Sequence, residues 1–178
     1  MRKILAGSLC AIIAAIAPAA AQSLPPDPGT WAVSLGAGAT VPVGNTADHL
    51  KTGIHGAAAI GYQLPDSHLM FGVEGMYLRA SNKTIPGDHS NIVVATAHAH
   101  IGLGGPYIVL GAGLLRDEYK QPLGSVVITN THATFSLEGR LGIEFAKVLF
   151  LEGRVIHSFR TDDHVKYTLI PITLGIKF

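Results

Sequence analysis

A chain of 178 residues with only 14% charged side chains carries too few ions to wet the whole outer surface of a soluble domain, where roughly 25% is usual. Thirteen basic residues against twelve acidic ones leave a surplus of one and no basic patch for a nucleic-acid partner, and no apolar run beyond the N-terminus reaches the roughly 20 residues of a membrane-spanning helix. What remains is a protein that crosses a membrane with strands, whose mark is segments of about ten residues alternating in polarity.

Residues 1–21 read as a targeting leader: Arg2 and Lys3 give the positive start, Ile4 to Ile16 the apolar run, and Ala19 with Ala21 the small-residue cleavage pattern. Cys10 lies inside it, and Gly7, Ser8 and Leu9 before it do not fit a lipoprotein signal. Removing the leader leaves 157 residues in one domain, without cysteine, with 11 basic residues against 12 acidic. Residues 22–29, with Pro25, Pro26 and Pro28, form a stiff lead-in that cannot join a ladder. The barrel itself is expected over residues 30–178.

Strand one, about Thr30 to Val41, puts Trp31, Val33, Leu35, Ala37, Ala39 and Val41 on one face and Ser34, Gly36, Gly38 and Thr40 on the other. Pro42 to Thr52 is a long loop with Gly44, Asn45 and Asp48 as turn formers. Strand two, about Gly53 to Gln63, sets Ile54, Ala58, Ile60 and Tyr62 outward and His55, Ala57, Ala59 and Gly61 inward. After a short turn at Leu64 to Ser67, strand three, about His68 to Ala80, carries Leu69, Phe71, Val73 and Tyr77 outward and Glu74 inward, although Met76 and Leu78 weaken the alternation. Ser81 to Asn91 is the second long loop.

Strand four, about Ile92 to Leu103, faces Val93, Ala95, Ala97, Ala99 and Ile101 outward and Thr96, His98 and His100 inward. Gly104, Gly105 and Pro106 form a tight turn. Strand five, about Tyr107 to Arg116, is apolar on both faces, so its facing is open; Asp117 to Ser125 is expected to loop out. Strand six, about Val126 to Phe145, alternates Phe135, Leu137, Leu141, Ile143 and Phe145 with Thr134, Ser136, Glu138, Arg140 and Glu144. Ala146 and Lys147 turn the chain into strand seven, about Val148 to Phe159, where Leu149, Leu151 and Val155 oppose Glu152 and Arg154. Arg160 to His164 is a short loop before the last strand, Val165 to Phe178. There Ile170, Ile172, Leu174 and Ile176 alternate with polar or small residues, and the chain stops on an aromatic.

An apolar strand left open would invite aggregation, so the last strand is expected to pair with the first and close an eight-stranded antiparallel up-and-down barrel. Short and long connections alternate, which places tight turns and both termini at one end. Trp31, Tyr62, Phe71, Tyr107, Phe145 and Phe178 would form the aromatic girdle at that end, and Tyr77 and Tyr167 the one at the other. A soluble eight-stranded barrel is the rival; it would have the same strands with the two faces exchanged.

The leader, the eight alternating strands, the stretch "GPYIVLGAG" entering strand five and the terminal "LGIKF" resemble the small outer-membrane β-barrel family that includes opacity-type proteins and the OmpA and OmpX transmembrane domains. The resemblance covers essentially the whole mature chain and rests on pattern. It implies a Gram-negative outer membrane, lipid and lipopolysaccharide neighbours, and insertion by the barrel assembly machinery through a C-terminal signal on Leu174, Ile176 and Phe178. It also implies, frequently, a structural or surface-interaction role through the loops at Pro42 to Thr52, Ser81 to Asn91 and Asp117 to Ser125.

Three groups of residues are candidates for chemistry. Glu138, Arg140, Glu144, Glu152 and Arg154 share the inward faces of neighbouring strands, where opposed side chains lie about 5 Å apart, so with Glu74 they are expected to form one ion-pair network in the lumen. Eight strands leave little more than side-chain room, which favours a structural plug over a gate or a narrow pore for small solutes. His98 and His100, at i and i+2 on one face, are two of the ligands a metal would need, with no third evident. His157 and Ser158 are reminiscent of the lipid-facing His-x-Ser pair of PagL-type lipid A acyl hydrolases, also eight-stranded outer-membrane barrels. Here the two are adjacent, so a regular strand sends them to opposite faces and denies the nucleophile its base. The repeats in "GLGGPYIVLGAG" precede no helix that would receive a phosphate, and no cofactor is expected.

Overall fold

The computed structural model describes residues 29–83, 88–123, 126–145, 148–159 and 166–178. The leader at 1–21, the lead-in up to 28, the Ala146–Lys147 turn and the Arg160 to His164 loop lie outside the described residues. Among those described, eight strands run in chain order: β1 (Trp31–Pro42), β2 (Gly53–Gln63), β3 (Leu69–Ser81), β4 (His89–Gly102), β5 (Pro106–Leu123), β6 (Val126–Phe145), β7 (Leu149–Ser158) and β8 (Thr168–Lys177), with one short helix, α1 (Thr46–His49), between β1 and β2.

Every strand pairs antiparallel with its sequence neighbour, and β1 pairs with β8 from Ser34↔Lys177 to Pro42↔Leu169, which closes the barrel. Phe178 seals the seam: its N–H donates to the Val33 carbonyl at 2.8 Å and its carbonyl accepts from the Val33 N–H at 3.1 Å. Closure leaves no edge along the wall, which is the condition for a sheet to sit in hydrocarbon.

The two faces decide the surroundings. Leu110, Leu174 and Phe178 point outward at 61%, 57% and 71% exposure, whereas Glu138, Arg140, Glu152 and Arg154 point inward at 5% or less. A soluble barrel would show the reverse, so that rival is overturned: the apolar face is the outer one.

Along its axis the interior is layered. At the end that carries the longer connections, Met76, Leu78, Ile92, Val94, Leu115, Ile156 and Leu169 form an apolar cluster, joined by Leu50 from the loop after α1. Met76 and Leu78, which blur the alternation of β3, are therefore inward residues of an apolar layer. The ionised residues fill the middle. At the end where β1 begins and β8 finishes, Tyr107, Val109 and Phe150 form a second small cluster beside a cavity of about 50 Å3. Inward glycines make room for its two rings: a Cβ at Gly142 would overlap Tyr107, and one at Gly175 would overlap Phe150. At the same end the β4–β5 turn uses Gly104 and Gly105 at φ of 78° and 125°, the left-handed region that other residues avoid.

Several expectations need correction. β5 does not stop at Arg116 but continues to Leu123, so Asp117 to Ser125 is no loop; Gly124 and Ser125 lie outside the described residues. Its polar residues break the alternation, but the backbone stays paired with β6 out to Leu123↔Val126. β3 runs to Ser81 and β4 starts at His89, which shortens the expected Ser81 to Asn91 loop. Tyr107 and Tyr167 belong to neither girdle; both point inward at 5% and 7% exposure, held by polar partners there. Trp31, Tyr62, Phe71, Phe145 and Phe178 stand on the outer face at the terminal end, and Trp31 packs on Tyr62 with ring centroids 5.1 Å apart.

Candidate functional site within the barrel

The middle layer is built from five ionised side chains on three strands: Glu74 on β3, Glu138 and Arg140 on β6, Glu152 and Arg154 on β7. Arg140 donates through Nη1 to Glu74 Oε2 at 2.6 Å, through Nε to Glu138 Oε1 at 3.0 Å, and also pairs with Glu138 through Nη2. Arg154 donates through Nε to Glu152 Oε1 at 3.0 Å, lies 2.7 Å from the same oxygen through Nη2, and pairs with Glu74 through Nη1. Longer contacts of 3.8 Å from Arg140 to Glu152 and 3.9 Å from Arg154 to Glu138 tie the halves together. All five side chains are at most 6% exposed.

This geometry follows from parity and register. Residues two apart on a strand share a face, so Glu138 with Arg140, and Glu152 with Arg154, are inward pairs by construction. Arg140 lies opposite Arg154 in the β6–β7 ladder. Two facing guanidiniums would repel, and carboxylates come between them: Glu74 bridges both from across the lumen, and Glu138 and Glu152 flank them. Isolated ions would cost several kcal/mol each to bury, and the shared hydrogen bonds offset that cost.

Two neutral partners escaped the sequence reading. Thr96 donates to Glu138 Oε1 at 3.0 Å, and Tyr107 donates to Glu152 Oε2 at 3.2 Å. Thr96 was legible as inward but carried no charge to attract notice. Tyr107 was hidden by the two apolar faces of β5; the telling signal is that Gly111 and Gly113 face inward opposite Glu138 and Ser136, small residues beside large ones. Glu144 does not join the arginines. It sits nearer the terminal end, where Lys177 of β8 donates to its Oε1 at 2.5 Å.

His98 and His100 both line the small cavity. His98 is 8% exposed, and His100 stacks on Tyr107 with ring centroids 4.4 Å apart. Among the described residues no three His, Cys, Asp or Glu side chains come together as a metal would require. His55 is strung between Thr40 Oγ1 and Thr173 Oγ1, each 2.9 Å from a ring nitrogen.

His157 and Ser158 correct the hydrolase alternative. Ser158 points inward, fully buried, and accepts from the Tyr167 N–H at 2.8 Å. His157 is on the opposite face, with Nδ1 2.9 Å from Thr168 Oγ1 and its ring edge-on to Phe159. β7 is regular there, so the two cannot act as nucleophile and base on one substrate.

At the loop end, α1 and the residues after it lie across the mouth. Thr46 is fully buried, donating to the Lys166 carbonyl at 3.0 Å and accepting from the Thr168 N–H at 2.8 Å. Lys51 N–H donates to the Ser81 carbonyl at 2.9 Å, and Lys83 N–H to the His49 carbonyl at 2.7 Å. This lid presses Leu50 onto the apolar cluster. Beyond it stands the β5–β6 hairpin. Among the described residues the β4–β5 ladder ends at Asn91↔Glu118 and the β7–β6 ladder at Ser158↔Ser136, with one more bond from the Phe159 N–H to the Phe135 carbonyl at 2.9 Å, yet β5 and β6 remain paired out to Leu123↔Val126.

The family model described as "Outer membrane protein beta-barrel domain" matches residues 7–178. Among solved structures the chain is similar to the N-terminal β-barrel domain of Pseudomonas aeruginosa OprF, at 15% identity and a TM-score of 0.62, with 84% of this chain and 99% of that one covered. It is similar to Ail, the attachment invasion locus protein of Yersinia pestis, at 12% identity and a TM-score of 0.61, covering 85% of this chain and 100% of that one. Neisserial surface protein A matches at 15% identity and a TM-score of 0.52, covering 83% and 95%. At these identities the likeness is one of fold. No curated protein matches.

Proposed function

The chain belongs to the outer membrane protein β-barrel family, which places it in the outer membrane, and from that premise we propose a non-catalytic role at the cell surface, exercised through the β5–β6 hairpin. The carrying observation is the contrast between a filled interior and a projecting edge. Inside, a buried ion-pair network lies beneath an apolar layer and a lid, an arrangement that favours a plug over a path for solutes. Outside, β5 and β6 run past their described neighbours, so among the described residues the outer edge of each presents backbone N–H and C=O groups that no strand pairs. Such an edge suits an extended segment of another protein, which adds as a further strand. A structural neighbour is named for attachment and invasion, and attachment is a role this projection would serve. Insertion by the barrel assembly machinery is proposed to start from β8, whose Leu174, Ile176 and Phe178 all face outward.

The test is adhesion of cells that carry the chain at their surface. Replacing residues 119–130 by a two-residue turn is expected to abolish adhesion to a cultured epithelial layer while the amount of heat-modifiable barrel in the outer membrane stays the same. Adhesion undiminished by that trimming would overturn the reading.

A further inference from the structure

The ionised layer does not balance. Glu74, Glu138 and Glu152 supply three carboxylates against the two guanidiniums of Arg140 and Arg154, which leaves one unit of negative charge among side chains at most 6% exposed. Glu144 and Lys177 pair with each other and leave that imbalance as it is. A buried charge without a counterpart is strongly unfavourable, so the layer needs one further positive charge. Two unsatisfied polar atoms show where. Glu138 Oε2 accepts no hydrogen bond among the described residues, and Arg154 Nη1 is 3.9 Å from it. His98, at 8% exposure, lines the cavity with its Nδ1 unpaired among the described residues. These two residues occupy one row of the ladder with only Gly111 between them. The Glu138 carboxyl folds over that glycine, where an added Cβ would meet Glu138 Oε1 at 2.6 Å.

The cavity of about 50 Å3 has room for a bare ion with a water or two and for no organic cation. It exists because the residues that line it from β1 and β2 include Ser34, Gly36, Ala57 and Ala59, too short to fill it. Lys177 and Glu144, with side chains 32% and 30% exposed, stand at its mouth. An ion entering there meets Glu152 and Glu74 of the layer and the ring of His98. The deficit of one unit selects a monovalent ion. A divalent one would overshoot it and would need a set of ligating side chains that the described residues do not offer. We propose that this cavity binds one small monovalent metal cation, whose charge completes the network and whose water satisfies His98 Nδ1. The ion is resident rather than in transit, because the apolar layer of Met76, Leu78 and Leu115 lies above it.

The experiment is urea unfolding of the full barrel in phosphatidylcholine vesicles at one pH and one ionic strength. The salt is the chloride of sodium, of potassium, or of N-methylglucamine, whose cation is too large for the cavity. The wild type is expected to unfold at higher urea in sodium or potassium, with the folding equilibrium constant raised about tenfold when the ion stands at roughly ten times its dissociation constant. E138Q, which leaves two carboxylates against two guanidiniums, is expected to unfold at the same urea in all three salts. D66N, which removes an exposed carboxylate from the turn between β2 and β3, is expected to keep the wild-type difference. Equal wild-type midpoints in the three salts would overturn the site, and so would a difference that E138Q retains or that D66N loses. A midpoint that ignores the cation but falls with rising pH would assign the compensating charge to a proton and overturn the ion. Should E138Q not fold, the sodium NMR line replaces it: wild-type vesicles are expected to broaden that line and excess potassium to sharpen it again. Broadening no greater than that of empty vesicles overturns the site.

Discussion

Arg140 shows how much one inward side chain carries. Its guanidinium reaches Glu74 and Glu138 and lies 3.8 Å from Glu152, so three carboxylates on three strands depend on it. Arg140→Leu leaves them facing Arg154 alone, and breaking a buried network from one side typically costs about 3–5 kcal/mol. The expected result is a clearly lower urea midpoint for unfolding from lipid vesicles, read as the loss of heat-modifiable mobility. Removing Glu138 together with Arg140, each for a similar-sized apolar residue, is expected to cost less than Arg140→Leu, because fewer uncompensated charges remain. An unchanged midpoint in Arg140→Leu would contradict a structural role for the network. Most of these residues were legible beforehand, because parity alone puts 138, 140, 152 and 154 on inward faces. Glu144 was not separable from them by parity, since its partner Lys177 is distant in sequence, and the inward turn of Tyr107 was invisible on a strand with two apolar faces.

At the scale of elements, what could be read was whatever the membrane imposes. Where a strand has lipid on one side, alternation is compulsory, and the facings of β1, β2, β4, β6, β7 and β8 follow from it. Where the membrane stops imposing, so does the pattern. The outer half of β5 and the ends of β3 and β4 looked like loops because strands beyond the bilayer have no obligatory greasy face. The lid was equally hidden: Leu50 sits in a stretch rich in turn formers, and only the fold brings it against Met76, Leu78 and Leu169. Leu50→Asp places a charge in that apolar layer, so the lid is expected to lift. Limited proteolysis of whole cells should then cut within residues 43–52, where the wild type is expected to resist, with the barrel fragment still heat-modifiable. Equal resistance of the two proteins would show that Leu50 does not hold the lid.

The whole molecule is a sheet turned inside out relative to a soluble one: ions at the centre, hydrocarbon around the rim. Low charge content is the global trace of that inversion, and the closed β1–β8 seam is what makes it stable without water. Because Cys10 is the chain's single cysteine and falls in the expected leader, single-cysteine variants of the mature barrel can each carry one spin label. The most direct measurement is power-saturation electron paramagnetic resonance of labels at Leu137, Ile172 and Leu174 in the barrel reconstituted in lipid vesicles. The prediction is relaxation by dissolved oxygen and near-indifference to a water-soluble nickel complex at all three positions. Relaxation dominated by the nickel complex at those positions would contradict it.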